Sequence, residues 1–284
     1  MTNPLIAARD AFLAANPEHR IEINTRNWGA IQVGDSGPAL VLIPGTLGRA
    51  DIFWQQITAL SDRARILSLS YPGSGGIADW AGDIAQIIKD QEMQGAVVLG
   101  SSLGGYLAQY LAAHYPGDIK GLVAANTLNS VRGHDQKPPY NFDLINTPID
   151  ELRTGFKTGL QGWLDPNNPY ADLAELLLAE VAGRIPEDEL RARLQALKTA
   201  PDLSAQTLPD AAIFTVECDD DHLIPPPMRA AVRSALNPGR SFRFGAASHF
   251  PYVTRPDDYT ALLCEVLGLE PAGTHWPVGQ EATL

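Results

Sequence analysis

The pentapeptide Gly100-Ser101-Ser102-Leu103-Gly104 sets tight limits on any fold that contains it. It follows an apolar run, Ala96-Val97-Val98-Leu99, and precedes a helical pattern, Tyr106-Leu107-Ala108-Gln109-Tyr110-Leu111. A strand that turns directly into a helix through Gly-x-Ser-x-Gly doubles the backbone back on itself, so the residues two before and two after the serine must be small. That requirement chooses between the adjacent serines. Ser102 has Gly100 and Gly104 at those positions, whereas Ser101 has Leu99 and Leu103, which would clash. Ser102 is therefore the candidate nucleophile, raised on a strained turn, and Ser101 packs or hydrogen-bonds behind it.

The rest of the chain supplies a sheet for this turn. Residues 39–43 and 96–99 are continuous apolar runs, the pattern of strands buried on both faces. Residues 65–71, 121–125, 211–216 and 241–245 read as further strands. They alternate with helical patterns at 51–60, 77–93, 228–236 and 256–267. Such alternation predicts an α/β fold, a mostly parallel central sheet flanked by helices. Ahead of it, residues 4–15 read as a short amphipathic helix. Residues 20–25 and 28–33 read as a hairpin with Asn27 and Gly29 near its turn.

The alternation stops between residues 128 and 208. One helical pattern there carries Leu173, Leu176, Leu177 and Val181 and is stopped by Gly183. Pro186 with Glu187, Asp188 and Glu189 opens another, with Leu190, Leu194 and Leu197 on one face. Residues 129–206 are accordingly expected to form a helical cap inserted in a core made of 1–128 and 207–284. Residues 270–284, with Pro271, Gly273 and Pro277, read as a loose tail.

A serine hydroxyl is a poor nucleophile until a base takes its proton. Of the six histidines, His249 lies in Ala247-Ser248-His249-Phe250-Pro251, in the turn after the last of these strands and on the same sheet edge as the serine. His222 can line the site. His114 reads as a helix-end residue, and His19, His134 and His275 as solvated loop residues. A carboxylate placed after the serine and before the histidine in chain order completes the set. The run Glu217-Cys218-Asp219-Asp220-Asp221 offers four. Asp221, just before His222-Leu223-Ile224-Pro225, is preferred, with Asp219 and Asp220 as alternatives. The oxyanion donors expected are the backbone N–H groups of Leu103 and of Thr46, the latter in the loop Pro44-Gly45-Thr46-Leu47-Gly48.

Composition narrows the partners. A net charge of −12 argues against nucleic acid or an anionic membrane surface. Cys218 and Cys264 have neither metal-site spacing nor a disulfide framework. Gly73-Ser74-Gly75-Gly76 lacks the lysine of a phosphate loop. No cofactor and no metal are expected, and the partner is a small-molecule substrate. No apolar stretch approaches the roughly 20 residues of a membrane span, and no basic segment followed by an apolar one opens the chain, so a cytoplasmic location is expected.

The stretches Leu42-Ile43-Pro44-Gly45-Thr46, Gly100-Ser101-Ser102-Leu103-Gly104-Gly105, Asp221-His222-Leu223-Ile224-Pro225-Pro226 and Ser248-His249-Phe250-Pro251 resemble the α/β-hydrolase superfamily over residues 20–268. Within it the chain looks closest to the maspardin-like branch. The stretches that carry this likeness are Gly45-Thr46-Leu47-Gly48-Arg49-Ala50-Asp51-Ile52-Phe53-Trp54, Ser102-Leu103-Gly104-Gly105-Tyr106-Leu107 and His249-Phe250-Pro251-Tyr252. The resemblance implies an α/β-hydrolase fold. It also implies a serine hydrolase that cleaves an ester or related acyl bond of a small organic substrate. Carbon–carbon bond hydrolases use the same triad, and the maspardin-like branch includes non-catalytic binding proteins with protein partners. Pro44 stands where most members of the superfamily begin the oxyanion loop with histidine. The donor is a backbone group, so this change leaves it intact.

Overall fold

The computed structural model describes residues 3–271 and 273–284. The chain opens with α1 (Pro4–Ala15) and the strands β1 (His19–Ile23), β2 (Arg26–Val33) and β3 (Ala39–Ile43). It continues through α2 (Trp54–Leu60), β4 (Arg65–Ser70), α3 (Ile77–Asp90), β5 (Ala96–Ser101), α4 (Leu103–His114) and β6 (Ile119–Ala125). Three helices follow: α5 (Ile149–Gln161), α6 (Ala171–Ala179) and α7 (Glu187–Lys198). The chain then returns through β7 (Ile213–Cys218), α8 (Pro226–Leu236), β8 (Arg240–Phe244), α9 (Pro251–Thr254), α10 (Pro256–Leu267) and β9 (Glu281–Thr283). The strands form one sheet in the order β1-β2-β4-β3-β5-β6-β7-β8-β9. Among the described residues only the pairs β1–β2 and β2–β4 are antiparallel.

Strand periodicity divides the core. Side chains alternate across a strand, so Leu40 and Leu42 of β3 and Val97 and Leu99 of β5 join one apolar cluster with residues of α2 and α10. Val41, Ile43, Ala96 and Val98 join another with α3 and α4. Every residue of β3 and β5 is buried, which accounts for the unbroken apolar runs at 39–43 and 96–99. α3 presents Ile77, Trp80, Ala81, Ile84, Ile87 and Ile88 to the sheet at helical spacing, and its first turn is tied by the Gly76 N–H donating to Asp79 at 3.0 Å.

The hairpin turns elsewhere than expected. Asn24 and Thr25 hold φ of 49° and 65°, the two-residue left-handed turn that matches strand twist. Asn27 and Gly29 lie within β2, opposite Glu22 and Arg20. A buried carboxylate fixes this register. Asp83 of α3 accepts from Asn24 Nδ2 (2.9 Å), from Arg26 Nε (2.6 Å) and Nη2 (2.8 Å), and from Trp28 Nε1 (3.0 Å).

Two further regions depart from expectation. The C-terminal segment is not a loose tail: β9 pairs in parallel with β8, and Trp276 is buried edge-on against Phe242 and Phe244. The segment between β6 and β7 holds α5 in addition to the two expected helices. Gly155 and Gly159, poor helix formers, mask its apolar stripe of Leu152, Phe156 and Leu160. Gly183, at φ 141°, breaks the helical path before α7. Leu144, Leu152, Ile185, Leu190 and Leu194 form a small core of their own, while Leu173, Leu176, Leu177 and Val181 pack into the cluster on one sheet face. Among the described residues no helix is long and apolar enough to cross a membrane.

Burial works against the charge on Asp83, yet the bonds from Arg26, Trp28 and Asn24 hold its carboxyl below the usual range. Removing it strands a guanidinium and two other donors. Asp83→Ala is expected to cost about 3 kcal/mol near neutrality. A lowered carboxyl supplies stability above its unfolded pKa, near ~3.9, and loses it as pH falls through the folded value. Urea denaturation as a function of pH should therefore show the gap between wild type and Asp83→Ala closing below about pH 4.

Candidate active site

Every residue singled out as chemically active lies at the C-terminal edge of a parallel strand. β3, β5, β6, β7 and β8 are consecutive in the sheet, and the loops that leave them carry Thr46, Ser102, Asn126, Asp221 and His249. Ligands in open α/β sheets bind at this edge, where the strands deliver their loops.

Ser102 joins the last residue of β5 to the first of α4 at φ 55°, ψ −117°. The glycines around it have no room for a side chain. A Cβ on Gly100 would sit 1.9 Å from the Gly104 carbonyl oxygen, one on Gly104 2.3 Å from the Ile43 carbonyl oxygen, and one on Gly105 2.5 Å from Thr127 Cβ. The strained residue is held from both ends: its N–H donates to the Ala125 carbonyl at 2.9 Å, and its carbonyl accepts from Thr127 Oγ1 at 2.6 Å. Ser102 is partly exposed, whereas Ser101 is buried.

The three adjacent aspartates after β7 have separate partners. Asp221 is buried, and its Oδ2 accepts from His249 Nδ1 at 2.8 Å and from Asn126 Nδ2 at 3.0 Å. Its Oδ1 accepts from the backbone N–H groups of Leu223 (2.9 Å) and Ile224 (3.1 Å). Burial raises its pKa, but attraction to His249 and these hydrogen bonds prevail, so the carboxyl lies below its usual range. Asp220 serves the neighbouring loop: Oδ1 accepts from the N–H groups of Ala247 (3.0 Å) and Ser248 (2.9 Å), and Oδ2 from Tyr170 Oη (2.5 Å). It thereby holds the segment just before His249, where Ser248 adopts φ 58°. Asp219 faces Arg243 at 2.6 Å.

His249 is buried, with Phe250 edge-on to its ring. Its bond to Asp221 occupies Nδ1 and leaves Nε2 as the nitrogen available to a substrate or to Ser102. Among the described residues no hydrogen bond links the Ser102 hydroxyl to His249, and contacts of this kind commonly tighten only when substrate binds. His222 is exposed and lies outside this constellation. Asn126, at φ 44° after β6, is the residue that sequence reasoning missed. A lone asparagine following a strand carries no motif, although its tolerance of left-handed backbone is a weak signal.

The loop after β3 lies against Ser102. A Cβ on Gly45 would be 3.1 Å from Ser102 Cβ, a tight contact, and 3.8 Å from Ser102 Oγ, an ordinary one, so the loop passes directly beside this side chain. The N–H groups of Thr46 and Leu103 have no backbone acceptor among the described residues.

The sequence matches the alpha/beta hydrolase family over residues 40–262. The chain belongs to this family. A pimeloyl-acyl-carrier-protein methyl ester esterase from Edwardsiella ictaluri is 27% identical over 240 residues, 80% of this chain and 92% of that protein. A relative from Pantoea ananatis, named for carbamate hydrolysis, is 26% identical over 253 residues, 82% of this chain and 91% of its own length. Among solved structures, an enol-lactonase from Burkholderia xenovorans aligns with a TM-score of 0.72 at 17% identity, over 88% of this chain and 100% of that one, a likeness of fold. The maspardin-like resemblance rests on the sequence stretches quoted for it.

The strain at Ser102 has a measurable consequence. Glycine adopts positive φ freely, so Ser102→Gly should raise the unfolding free energy by about 1 kcal/mol. Ser102→Ala keeps the Cβ and should leave it near the wild-type value. Chemical denaturation of the three proteins checks this, and equal stability of all three would show that the turn stores no strain.

Proposed function

We propose that the protein is a serine hydrolase that cleaves an ester or related acyl bond of a small organic substrate. Ser102 is the nucleophile, His249 the base and Asp221 the acid. The observation that carries this reading is the buried Asp221–His249 bond at 2.8 Å, made on the strand edge that also raises Ser102. An ionised carboxylate on Nδ1 fixes the imidazole tautomer whose Nε2 can accept a proton, and it stabilises the imidazolium that results. The lowered Asp221 pKa favours that ionised state.

In this reading His249 Nε2 takes the proton of Ser102 Oγ as Oγ attacks the substrate carbonyl. The N–H groups of Thr46 and Leu103 hold the oxyanion. The imidazolium then protonates the leaving alcohol. Water, activated by the same nitrogen, releases the acid and restores Ser102. The helical segment 129–206 acts as a cap over the site. Two bonds support this role: Tyr170 reaches Asp220, and Arg193 of α7 reaches the Thr46 carbonyl. The names of the relatives, an ester esterase and a carbamate hydrolase, point to acyl chemistry of the same type.

Steady-state hydrolysis of p-nitrophenyl acetate tests the assignment. Ser102→Ala should abolish turnover, and Ser101→Ala should stay near wild type. Asp221→Asn should lose about 10,000-fold in kcat, because an amide can fix the wrong tautomer. Asp219→Asn should lose little. Asp220→Ala, which frees the loop before His249, should fall between them at about 100-fold. Full activity in Ser102→Ala or in Asp221→Asn would reject the triad. A wild-type protein inert toward activated esters would favour the binding-protein alternative.

A further inference from the structure

The most unusual side chain outside the triad is Arg193. It lies in the middle of α7, is completely buried, and points at the loop after β3. Its Nη1 donates to the carbonyl oxygens of Thr46 (2.9 Å) and Gly48 (2.8 Å). Its Nη2 donates to Glu189 Oε2, one helical turn earlier, at 2.9 Å. The guanidinium lies over the Tyr71 ring, 5.0 Å from its centroid, and Tyr71 Oη donates to the Pro44 carbonyl at 2.7 Å. Glu189 also pairs with Arg49, the residue following Gly48, at 2.7 Å. Within the loop, the Gly48 N–H donates to the Gly45 carbonyl at 3.1 Å. All four of these loop carbonyls, at Pro44, Gly45, Thr46 and Gly48, are therefore engaged, and Arg193 holds two of them.

Packing alone does not explain this residue. Burying a guanidinium costs several kcal/mol, and an apolar side chain of similar volume would fill the same space more cheaply. Burial indeed pushes the Arg193 pKa down, against the attraction of Glu189. The carbonyls it grips belong to the loop that carries the Thr46 N–H. A rotation of the peptide between Gly45 and Thr46 would turn the N–H away and aim a carbonyl oxygen at the developing oxyanion. That peptide's carbonyl, on Gly45, is held by the Gly48 N–H, and Arg193 braces it indirectly by fixing the carbonyls of Thr46 and of Gly48 itself. The partners of this loop come from two layers: Tyr71 from the end of β4, and Arg193 from the insertion.

We propose that Arg193 is a positioning residue for the reaction: from α7 it sets the peptide planes of the Pro44-Gly48 loop so that the Thr46 N–H faces the oxyanion, and catalysis thereby requires the helical insertion to be seated. The proposal rests on the serine-hydrolase reading, with Thr46 as an oxyanion donor. It makes α7 part of the catalytic apparatus without contact to substrate.

The test uses full-length Arg193→Met and Arg193→Lys, with circular dichroism for folding. Two activity readouts follow: p-nitrophenyl acetate kinetics, and inhibition by a trifluoromethyl ketone, whose serine adduct bears the oxyanion. Arg193→Met should lose about 100-fold in kcat, the scale of one lost oxyanion donor, with KM nearly unchanged and ketone affinity falling in parallel. Arg193→Lys keeps the charge beside Glu189 but cannot fork across two carbonyls, so it should recover part of the loss. Should Arg193→Met not fold, Arg193→Lys decides by the same split, a lowered kcat and ketone affinity at constant KM. Wild-type kcat in the folded variants, a loss confined to KM, or failure of both variants to fold would overturn the proposal. A wild-type enzyme without Ser102-dependent turnover would instead reject the underlying function. Ser102-dependent turnover with full kcat in the Arg193 variants would reject only the role of Arg193.

Discussion

The close approach of backbone to backbone at Gly104 is the constraint on which the rest of the site depends. A methyl group there would lie 2.3 Å from the Ile43 carbonyl oxygen. With only a hydrogen at that position, α4 starts directly against β3, and the turn that joins β5 to α4 raises Ser102 above the sheet edge. The same approach brings the loop after β3 beside Ser102. Ser102 and the loop after β3 are thus placed by a single packing event. Such a turn carries strain, and the bonds from Ser102 to Ala125 and Thr127 hold it in place from β6 and the loop that follows.

The acidic run after β7 shows how adjacent like charges coexist. Carboxylates this close in sequence would repel if they shared an environment. Each instead finds its own donors: Arg243 for Asp219, two backbone N–H groups and Tyr170 for Asp220, and His249, Asn126 and two backbone N–H groups for Asp221. The division separates roles as well as charges. Asp221 orients the imidazole, while Asp220 orients the loop that carries it. The insertion reaches both sides of this edge, through Tyr170 to Asp220 and through Arg193 to the loop after β3.

Much of this was legible in the sequence because it depends on local rules. The glycine spacing put Ser102 on the turn between β5 and α4, and the unbroken apolar runs located β3 and β5. The chain order of serine, acid and histidine pointed to Asp221 and His249, which the fold brings into hydrogen-bond contact. What stayed hidden depends on partners distant in sequence. Thr25 is no turn former by itself, yet Asp83, far along the chain, anchors the residues on both sides of Thr25. β9 is three residues long, too short for a period, and it is added by pairing with β8 while Trp276 packs on Phe242 and Phe244. Arg193 lies among Leu190, Leu194 and Leu197 on α7, where an arginine reads as the solvent face. Only the fold shows it buried. Asn126 had no motif at all.

The central claim is that Ser102 alone is activated as a nucleophile. Labelling the wild-type protein with a p-nitrophenyl phosphonate, followed by intact mass measurement and peptide mapping, tests it most directly. The account predicts a single adduct, located on Ser102, with Ser101 unmodified and labelling lost on prior protection by a substrate ester. An adduct on Ser101, or no adduct at all on the folded protein, would contradict it.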